Sequence, residues 1–376
     1  MVLAIFSVPS ILRSPIPPDK EQKNSDFGYD LESSAVSWNT SDYINFTKPA
    51  FDQSEGRGIY EFRIFIDETN SSYTWDKTAA ENEWCTGSGT YSDPYVIENL
   101  YINGQGSGGM IYIRHSKKYF IIRNCWFNYS GADGYDNGVC LHWTGNGTID
   151  NNIFTYTRKG VNIETQSYNN TVSNNIMISD HTTAGLSRAI HVGGEASNVT
   201  IINNKIRNHY SAIYVGGGYQ FTVTNSIIKG NYLENTLKGK DYRGTPMHCI
   251  KISYCQIVGN IFAGDLAYGS FEVFGIKEED CIGNIILNNT VVVNETLEFG
   301  PKTSGALSVN TFKLRTAQTS LNSPISLETC RYNYIAHNIM LIPPDGDQAI
   351  PGYETFLILG LISIISVVIL KKIMKK

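Results

Sequence analysis

Three successive segments decide the fold: IDNNIF at 149–154, VSNNIM at 172–177 and IINNKI at 201–206. Each places a pair of Asn residues between two short apolar stretches, and six related segments extend the pattern from VIENLY at 96–101 to IAHNIM at 335–340. The fourth residues of these nine segments are 23 to 29 residues apart, except for a last interval of 54. A fixed period of this length predicts a solenoid of stacked repeats.

The content of the repeat distinguishes between two kinds of solenoid. Leucine-rich repeats have this length but require a Leu-x-x-Leu-x-Leu framework, which the chain lacks. The segments are short and β-branched, and turn residues separate them. The sequence therefore predicts an all-β fold, a parallel β-helix of about ten coils stacked at the strand spacing of about 4.8 Å. The long last interval predicts one coil without the signature between Asn284 and Asn338.

An Asn that recurs in every coil can form amide hydrogen bonds along the stack. Such a ladder suits a turn, where the backbone bends and its polar groups need partners. In the second segment from the start, Cys125 stands in place of Asn. The ladder is expected to be structural and to contain Asn99, Asn152, Asn175, Asn204, Asn231, Asn260, Asn284 and Asn338.

The C-terminus has the pattern of a membrane anchor. Sixteen uncharged residues run from Thr355 to Leu370, roughly 24 Å as a helix, and four lysines follow within six residues. By the positive-inside rule, this places the tail in the cytoplasm and everything before it outside. The expected divisions are a signal-like segment at 1–13, a linker at 14–56, the β-helix at 57–342, a linker at 343–352, a transmembrane helix at 353–370 and a basic tail at 371–376.

Composition excludes several classes of protein. The formal net charge is -5 and no basic stripe is present, which argues against a nucleic-acid partner. Seven Cys in 376 residues do not make a disulfide scaffold, and an odd number outside the cell leaves at least one free thiol. Nine Asn-x-Ser/Thr sequons all precede the predicted span, which is consistent with a surface glycoprotein.

The chain resembles a known group of proteins, the right-handed parallel β-helix repeat proteins of the pectate-lyase-like superfamily, and within them the NosD-like branch. The resemblance rests on the paired-Asn turns, the strands GVNIE, AIHVG and AIYVG, and the segment WCTGSGTYSDPYVIENLYING at 84–104. It covers about residues 57 to 342 and implies the fold. It leaves the function open, because this fold hosts lyases, hydrolases, epimerases, adhesins and inert stalks.

One strand in each coil supplies a candidate functional face. Its apolar residues point inward, so the residue between them points outward. The alignment of AIHVG, AIYVG and CIKIS gives an outward column of Tyr112, Cys140, Asn162, His191, Tyr214, Lys251 and Glu272. Loops before these strands, above all 237–246 with Lys240 and Arg243, would lie along one edge of the face.

Three interpretations of this face remain open: a solvated wall, a glycan-binding surface and a catalytic site. As a binding surface it would use Asn162, Glu272, Tyr112, Arg243 and Lys240. As a lyase or epimerase site it would use His191, Tyr214 and Lys251, since a uronate needs a base for its proton and a cation for its carboxylate. A hydrolase is disfavoured, because Glu164 and Glu272 would lie four coils, roughly 19 Å, apart.

The sequence predicts no cofactor, although Asp133 and Asp136 in GADGYDN can contribute two calcium ligands. The histidines are too scattered for a copper site. The sequence thus predicts a cell-surface β-helix, anchored by its C-terminal helix, that binds or scaffolds envelope carbohydrate. The alternative is a polysaccharide lyase or C5-epimerase acting on uronate polymers. The expected partners are a polysaccharide and the membrane, and the oligomeric state is open.

Overall fold

Short strands joined by tight turns make up almost all of the structure, which is a computed structural model. It describes residues 50–51, 63–106, 108–131, 136–179, 187–216, 221–235, 246–264, 276–293, 325–328, 330, 333–336 and 338–341. All of them belong to the unit that runs from Ile44 to Lys376.

The strands are numbered in chain order. The first ten are β1 (Ala50–Phe51), β2 (Ile64–Asp67), β3 (Cys85–Thr86), β4 (Tyr95–Glu98), β5 (Tyr101–Asn103), β6 (Ile111–Arg114), β7 (Phe120–Arg123), β8 (Trp126–Asn128), β9 (Asn137–His142) and β10 (Gly147–Asp150). The next eleven are β11 (Ile153–Thr155), β12 (Lys159–Glu164), β13 (Thr171–Ser173), β14 (Ile176–Ile178), β15 (Arg188–Gly193), β16 (Thr200–Ile202), β17 (Lys205–Arg207), β18 (Ser211–Gly216), β19 (Val223–Thr224), β20 (Ile227–Lys229) and β21 (Tyr232–Asn235). The last ten are β22 (Met247–Ile250), β23 (Ile252–Ser253), β24 (Gln256–Val258), β25 (Ile261–Gly264), β26 (Ile276–Glu279), β27 (Ile285–Leu287), β28 (Thr290–Val293), β29 (Ile325–Glu328), β30 (Tyr334–Ala336) and β31 (Ile339–Leu341).

These strands stack into three long sheets, to which successive coils contribute one strand each. Sheet I has the order β1-β5-β8-β11-β14-β17-β21-β25-β28-β31, sheet II has β3-β4-β7-β10-β13-β16-β20-β24-β27-β30, and sheet III has β2-β6-β9-β12-β15-β18-β22-β26-β29. All pairings in them are parallel except that of β3 with β4. The expectation of an all-β parallel β-helix is therefore confirmed.

The Asn pairs turn the chain between sheets II and I. Their first members, such as Asn151, Asn174 and Asn203, have φ between 52° and 56°. Asn and Gly are the residues that tolerate this left-handed backbone best, and Gly230 and Gly259 take the same place in later coils with φ of 63°. The first residue of each pair therefore bends the chain, which leaves the second to face inward.

The second members form the ladder. Asn175 Oδ1 accepts hydrogen bonds from the backbone N–H of Asn152 at 2.9 Å and from its Nδ2 at 3.0 Å. The same pair of hydrogen bonds joins Asn175 to Asn204 and Asn204 to Asn231, and it continues along the ladder. Each amide Nδ2 also donates to a backbone carbonyl, as Asn204 does to Val172 at 2.9 Å. The ladder runs through Asn152, Asn175, Asn204, Asn231, Asn260, Asn289 and Asn338, all of them buried.

Two predicted members lie elsewhere. Asn99 is exposed with φ of 60°, so it is a bending residue, and the buried Leu100 follows it. Asn284 belongs to a different turn, where its Oδ1 accepts from the N–H of Cys255 at 2.9 Å. The short repeat pattern fits both turns, and only strand pairing distinguishes them.

The long last interval does not contain an extra coil between the two ladder positions. Strand β28 pairs directly with β31, and Asn289 Nδ2 donates to Asn338 Oδ1 at 2.9 Å. The predicted coil without a signature is therefore wrong. The interval is long for two reasons: Asn284 belongs to an earlier turn of its coil than the ladder position, and many residues separate β28 from β29.

The N-terminal end of the core is covered by helix α1 (Trp75–Glu81). Trp75 is fully buried, stacks on Tyr95 at a centroid distance of 4.9 Å and donates from Nε1 to Ser116 Oγ at 3.1 Å. Covering the end protects backbone groups that a solenoid would otherwise leave unpaired. At this end, strand β1 pairs with β5 although it falls within the segment predicted as a linker.

The C-terminal expectations lie mostly outside the described residues. Within the part of the chain that the structure describes, no helix has the length and apolarity to cross a membrane. The segment expected to do so, 353–370, is not in that part, nor are the signal-like segment and the basic tail. The transmembrane helix and the count of about ten coils stay predictions.

Candidate functional site

The outward side of sheet III carries three adjacent columns of side chains. Strand pairing aligns Lys159 with Arg188, and it aligns Asn162 with His191 and then Tyr214. In the third column it aligns Glu164 with His142 of the preceding coil. Neighbouring side chains in a column are one strand spacing apart, so charged, aromatic and amide groups from consecutive coils meet on this face.

The predicted column is wrong at Lys251. Tyr214 pairs with His248, and His248 pairs with Lys277. Lys251 instead follows β22 in a turn, with φ of 52°. The stretch MHCIKIS has apolar residues at 247, 249, 250 and 252, so alternation alone permits two registers, and the pairing selects the one with Met247 and Cys249 inside.

Other candidates are covered or undescribed. Tyr112 is only 3% exposed, because Phe65 packs on it at a centroid distance of 5.7 Å, and its hydroxyl lies 3.2 Å from His142 Nδ1. Tyr112 is therefore mostly covered and lies beside His142, and its predicted role in ligand binding stays a prediction. Glu272, Lys240 and Arg243 lie outside the described residues, so their roles stay predictions.

A charged cluster links the three columns. His191 Nδ1 lies 2.7 Å from Asn162 Oδ1 and 3.2 Å from Glu164 Oε1. Lys159 Nζ lies 3.3 Å from the same amide oxygen and 3.4 Å from the same carboxylate oxygen. Because the ammonium group can only donate, the Asn162 oxygen faces both neighbours, and His191 donates from Nδ1.

Burial and pairing fix the charges of this cluster. Desolvation lowers the pKa of His191 to about 4, since neighbouring Glu164 only partly offsets it. Burial alone would raise the pKa of Glu164, but the hydrogen bond from His191 and the charge of Lys159 hold it well below its ordinary value. At neutral pH the cluster therefore contains a neutral His191, an ionised Glu164 and a charged Lys159.

Aromatic and cationic groups continue the site into the next coils. The Tyr214 ring meets His191 edge-to-face at a centroid distance of 5.2 Å, and meets His248 at 5.3 Å. Arg188 Cζ lies 3.7 Å from the Tyr214 ring centroid, in cation–π contact. The guanidinium thus covers one face of the ring.

Glycines keep the surface beside these rings open. A Cβ at Gly216 would lie 2.9 Å from the Tyr214 ring, and a Cβ at Gly193 would lie 3.3 Å from His191 Nε2. The resulting open cleft has a volume of about 280 Å³. It is lined by Glu164, Thr165, Arg188, His191, Gly193, Gly194, Tyr214 and Gly216.

The sequence interpretation did not place two basic residues of this face in the candidate column, and one of them, Arg188, lines the cleft. These two residues, Lys159 and Arg188, open two successive strands, KGVNIE and RAIHVG. The signal that identifies them is a basic residue three positions before Asn162 and His191. Glu164 was considered only as half of a hydrolase pair, whereas its carboxylate is committed to Lys159 and His191.

No group of three or more His, Cys, Asp or Glu side chains able to hold a metal ion occurs among the described residues. Of the two possible calcium ligands, Asp136 is buried, and Asp133 is outside the described ranges. The calcium site stays a prediction.

Comparisons with known proteins agree with the fold. The family described as "Right handed beta helix region" matches residues 35–228. No curated protein matches the sequence. Among solved structures, the surface adhesin PfbA of Streptococcus pneumoniae is 14% identical with a TM-score of 0.44, and the match covers 66% of this chain and 64% of that one.

Two further solved structures are similar to parts of this chain. The tailspike protein of E. coli bacteriophage HK620, in complex with a pentasaccharide, is 12% identical with a TM-score of 0.39, covering 69% of this chain and 50% of that one. The A-module of the Azotobacter vinelandii mannuronan C-5 epimerase AlgE4 is 12% identical with a TM-score of 0.30, covering 70% and 86%. The chain thus spans less than two thirds of the adhesin and half of the tailspike.

Proposed function

This chain belongs to the right-handed β-helix family, and we propose that it binds polysaccharide on the outward side of sheet III. The observation that carries the proposal is the cleft lined by Tyr214, Arg188, His191 and Glu164, the last of which is paired with Lys159. An aromatic ring packs against the apolar face of a sugar, while amide and charged groups bond its hydroxyls and acidic substituents. A face that only contacts solvent would not require a glycine-lined space beside these side chains.

The charges favour an acidic polysaccharide. Lys159 and Arg188 outweigh the single carboxylate of Glu164, and His191 is neutral. A guanidinium edge pairs well with a planar carboxylate, which makes Arg188 the expected partner of a uronate.

Substitution of Tyr214 tests the binding site. We expect Tyr214→Ala to weaken binding of polygalacturonate or alginate about tenfold, since the ring platform and the seat of Arg188 are both lost. Titration calorimetry on the purified protein measures the affinity. Tyr254→Ala is the matched control, because this exposed tyrosine lies in a turn that precedes sheet II. Equal affinity of the Tyr214 variant and the parent, at unchanged melting temperature, would contradict the proposal.

The second candidate function is a lyase or C5-epimerase acting on uronate polymers. The observation that favours it is a neutral His191 whose Nδ1 is bound by Asn162, so that Nε2 carries the lone pair toward Gly193. In elimination, Nε2 would take the C5 proton, a C4–C5 double bond would form, and the C4–O bond would break. The departing oxygen would take a proton from Tyr214 or water.

The unsaturated product of a lyase absorbs in the ultraviolet. We expect a lyase to release this signal from alginate or polygalacturonate and His191→Gln to abolish it. An epimerase leaves the absorbance unchanged and alters the ratio of the two uronates, which product analysis measures. If the polymer binds and neither its absorbance nor its uronate ratio changes, the protein is a binding module for that polymer.

We further propose that the β-helix, of about ten coils, is displayed outside the cell on the helix expected at 353–370. The support is the uncharged run followed by lysines. Protease added to intact cells is expected to remove the β-helix and to leave the C-terminal tail, as detected by an antibody against each. Cleavage of the tail with a protected β-helix would reverse the orientation.

A further inference from the structure

Beside the cleft, the structure exposes an aromatic residue that the proposed site does not use. Trp143 follows β9 directly, and 39% of its surface is exposed. Its ring stacks on His115 from the preceding coil at a centroid distance of 4.8 Å and an angle of 13°. His142 contacts it at 4.1 Å from the side. Trp143 is thus an exposed indole held by two imidazole rings.

The His115 ring on which Trp143 stacks is held by contacts around the carboxylate of Asp67. His115 Nδ1 lies 3.1 Å from Asp67 Oδ1, and Arg114 Nε lies 3.3 Å from Asp67 Oδ2. Thr69 donates from its backbone N–H and its hydroxyl to Asp67 Oδ1, at 3.0 Å and 2.7 Å. Because these bonds orient His115, the indole stacked on it has a defined position and loses little entropy when a ligand packs on it.

The rim on which Trp143 lies continues into the cleft. The backbone N–H of Trp143 donates to Thr165 O at 3.1 Å, and Thr165 is a lining residue of the cleft. The Thr165 hydroxyl lies 2.7 Å from His142 Nε2, so it turns toward the sheet. Trp143 therefore stacks on a ring of the preceding coil and is joined through its backbone to a cleft residue of the next coil.

We propose that Trp143 is a second sugar-binding subsite of this cleft and that the polysaccharide therefore lies along the axis of the β-helix. The inference rests on the proposed function and adds the direction and minimum length of the ligand. Strands β9, β12, β15 and β18 are successive in sheet III, so the coils of Trp143 and Tyr214 are three strand spacings, about 14 Å, apart. A chain of several sugars spans that distance, and a disaccharide does not reach both rings.

The test is a comparison of ligand length. The probes are oligogalacturonates and cello-oligosaccharides, each as a disaccharide and a hexasaccharide, titrated into the full-length protein. The parent is expected to bind one of the hexasaccharides at least tenfold more tightly than its disaccharide. Trp143→Ala is expected to remove about tenfold of the hexasaccharide affinity and to leave that of the disaccharide within twofold. Trp143→Phe, which keeps a ring, should restore most of the loss.

Three outcomes separate the inference from the function it rests on. A Trp143→Ala variant that binds the hexasaccharide as the parent does, while Tyr214→Ala binds it weakly, would overturn the second subsite alone. An equal loss for both ligand lengths would also overturn it, because it indicates a general disturbance of the sheet. Absence of binding to all four probes by the parent protein would overturn the proposed function and the subsite with it.

Discussion

Replacing Asn204 with alanine is expected to destabilise the β-helix by about 3 kcal/mol. The side chain is fully buried in the middle of the ladder. Its removal takes a hydrogen bond from the N–H and Nδ2 of Asn175 and from the carbonyls of Val172 and Ile202. Asn231 Oδ1 loses one of its two bonds and still accepts from the Asn204 N–H. A buried polar group left without a partner costs about 1–3 kcal/mol, and several groups lose a hydrogen bond at once while the ladder can adjust only partly.

The neighbouring residue gives a matched control. Asn203 is exposed, and Gly230 already occupies the same left-handed position in the next coil. Asn203→Gly is therefore expected to change stability by no more than about 0.5 kcal/mol. Urea denaturation followed by circular dichroism measures both variants. Similar stabilities for Asn204→Ala and Asn203→Gly would contradict the structural role of the ladder.

Acidification from pH 7 to pH 4 is expected to cost about 3 kcal/mol of stability through His191 alone. The pKa of its imidazole is lowered to about 4 in the folded protein by burial, against an ordinary value of 6.5. Between these values the unfolded chain binds a proton that the folded protein does not. Stability is therefore fully present above about pH 6.5 and is lost as the pH falls toward 4.

Two other groups act in the same direction. Burial also lowers the pKa of His142, and the carboxyl of Glu164 has a pKa below its ordinary value of 4.5, so its stabilisation is lost at still lower pH. The comparison with His191→Gln isolates the one imidazole. Denaturation at a series of pH values should give a steeper decline for the parent than for the variant between pH 6.5 and pH 4. Parallel curves would show that His191 is not held neutral.

The repeat made the fold predictable, because each residue of the Asn pair meets a physical requirement of the turn. A residue that tolerates a left-handed backbone must precede a residue that forms the ladder, and this pair recurs in most coils, with Leu100 and Cys125 as exceptions at the second place. The segments VIENLY and CIGNII also satisfied the pattern, yet Asn99 is a bending residue and Asn284 belongs to another turn. A short pattern does not record which turn of the coil it occupies.

The candidate site was predictable only where the strands align without gaps. Asn162, His191 and Tyr214 are aligned by strand pairing, as the matching positions of their apolar neighbours in the sequence indicate. After the chain segment between β21 and β22, the sequence alignment assigned Lys251 to the column, whereas the strand pairing aligns His248 with Tyr214. The cluster of Lys159, Glu164 and His191 crosses columns, and such contacts depend on side-chain directions that a linear alignment does not contain.

The crystal structure of the protein soaked with hexagalacturonate tests the central claim, a polysaccharide site on sheet III, most directly. The account predicts sugar density against Tyr214 and Arg188, with the chain running along the β-helix axis toward Trp143. Sugar bound on sheet I or sheet II, with the cleft beside His191 left empty, would contradict it.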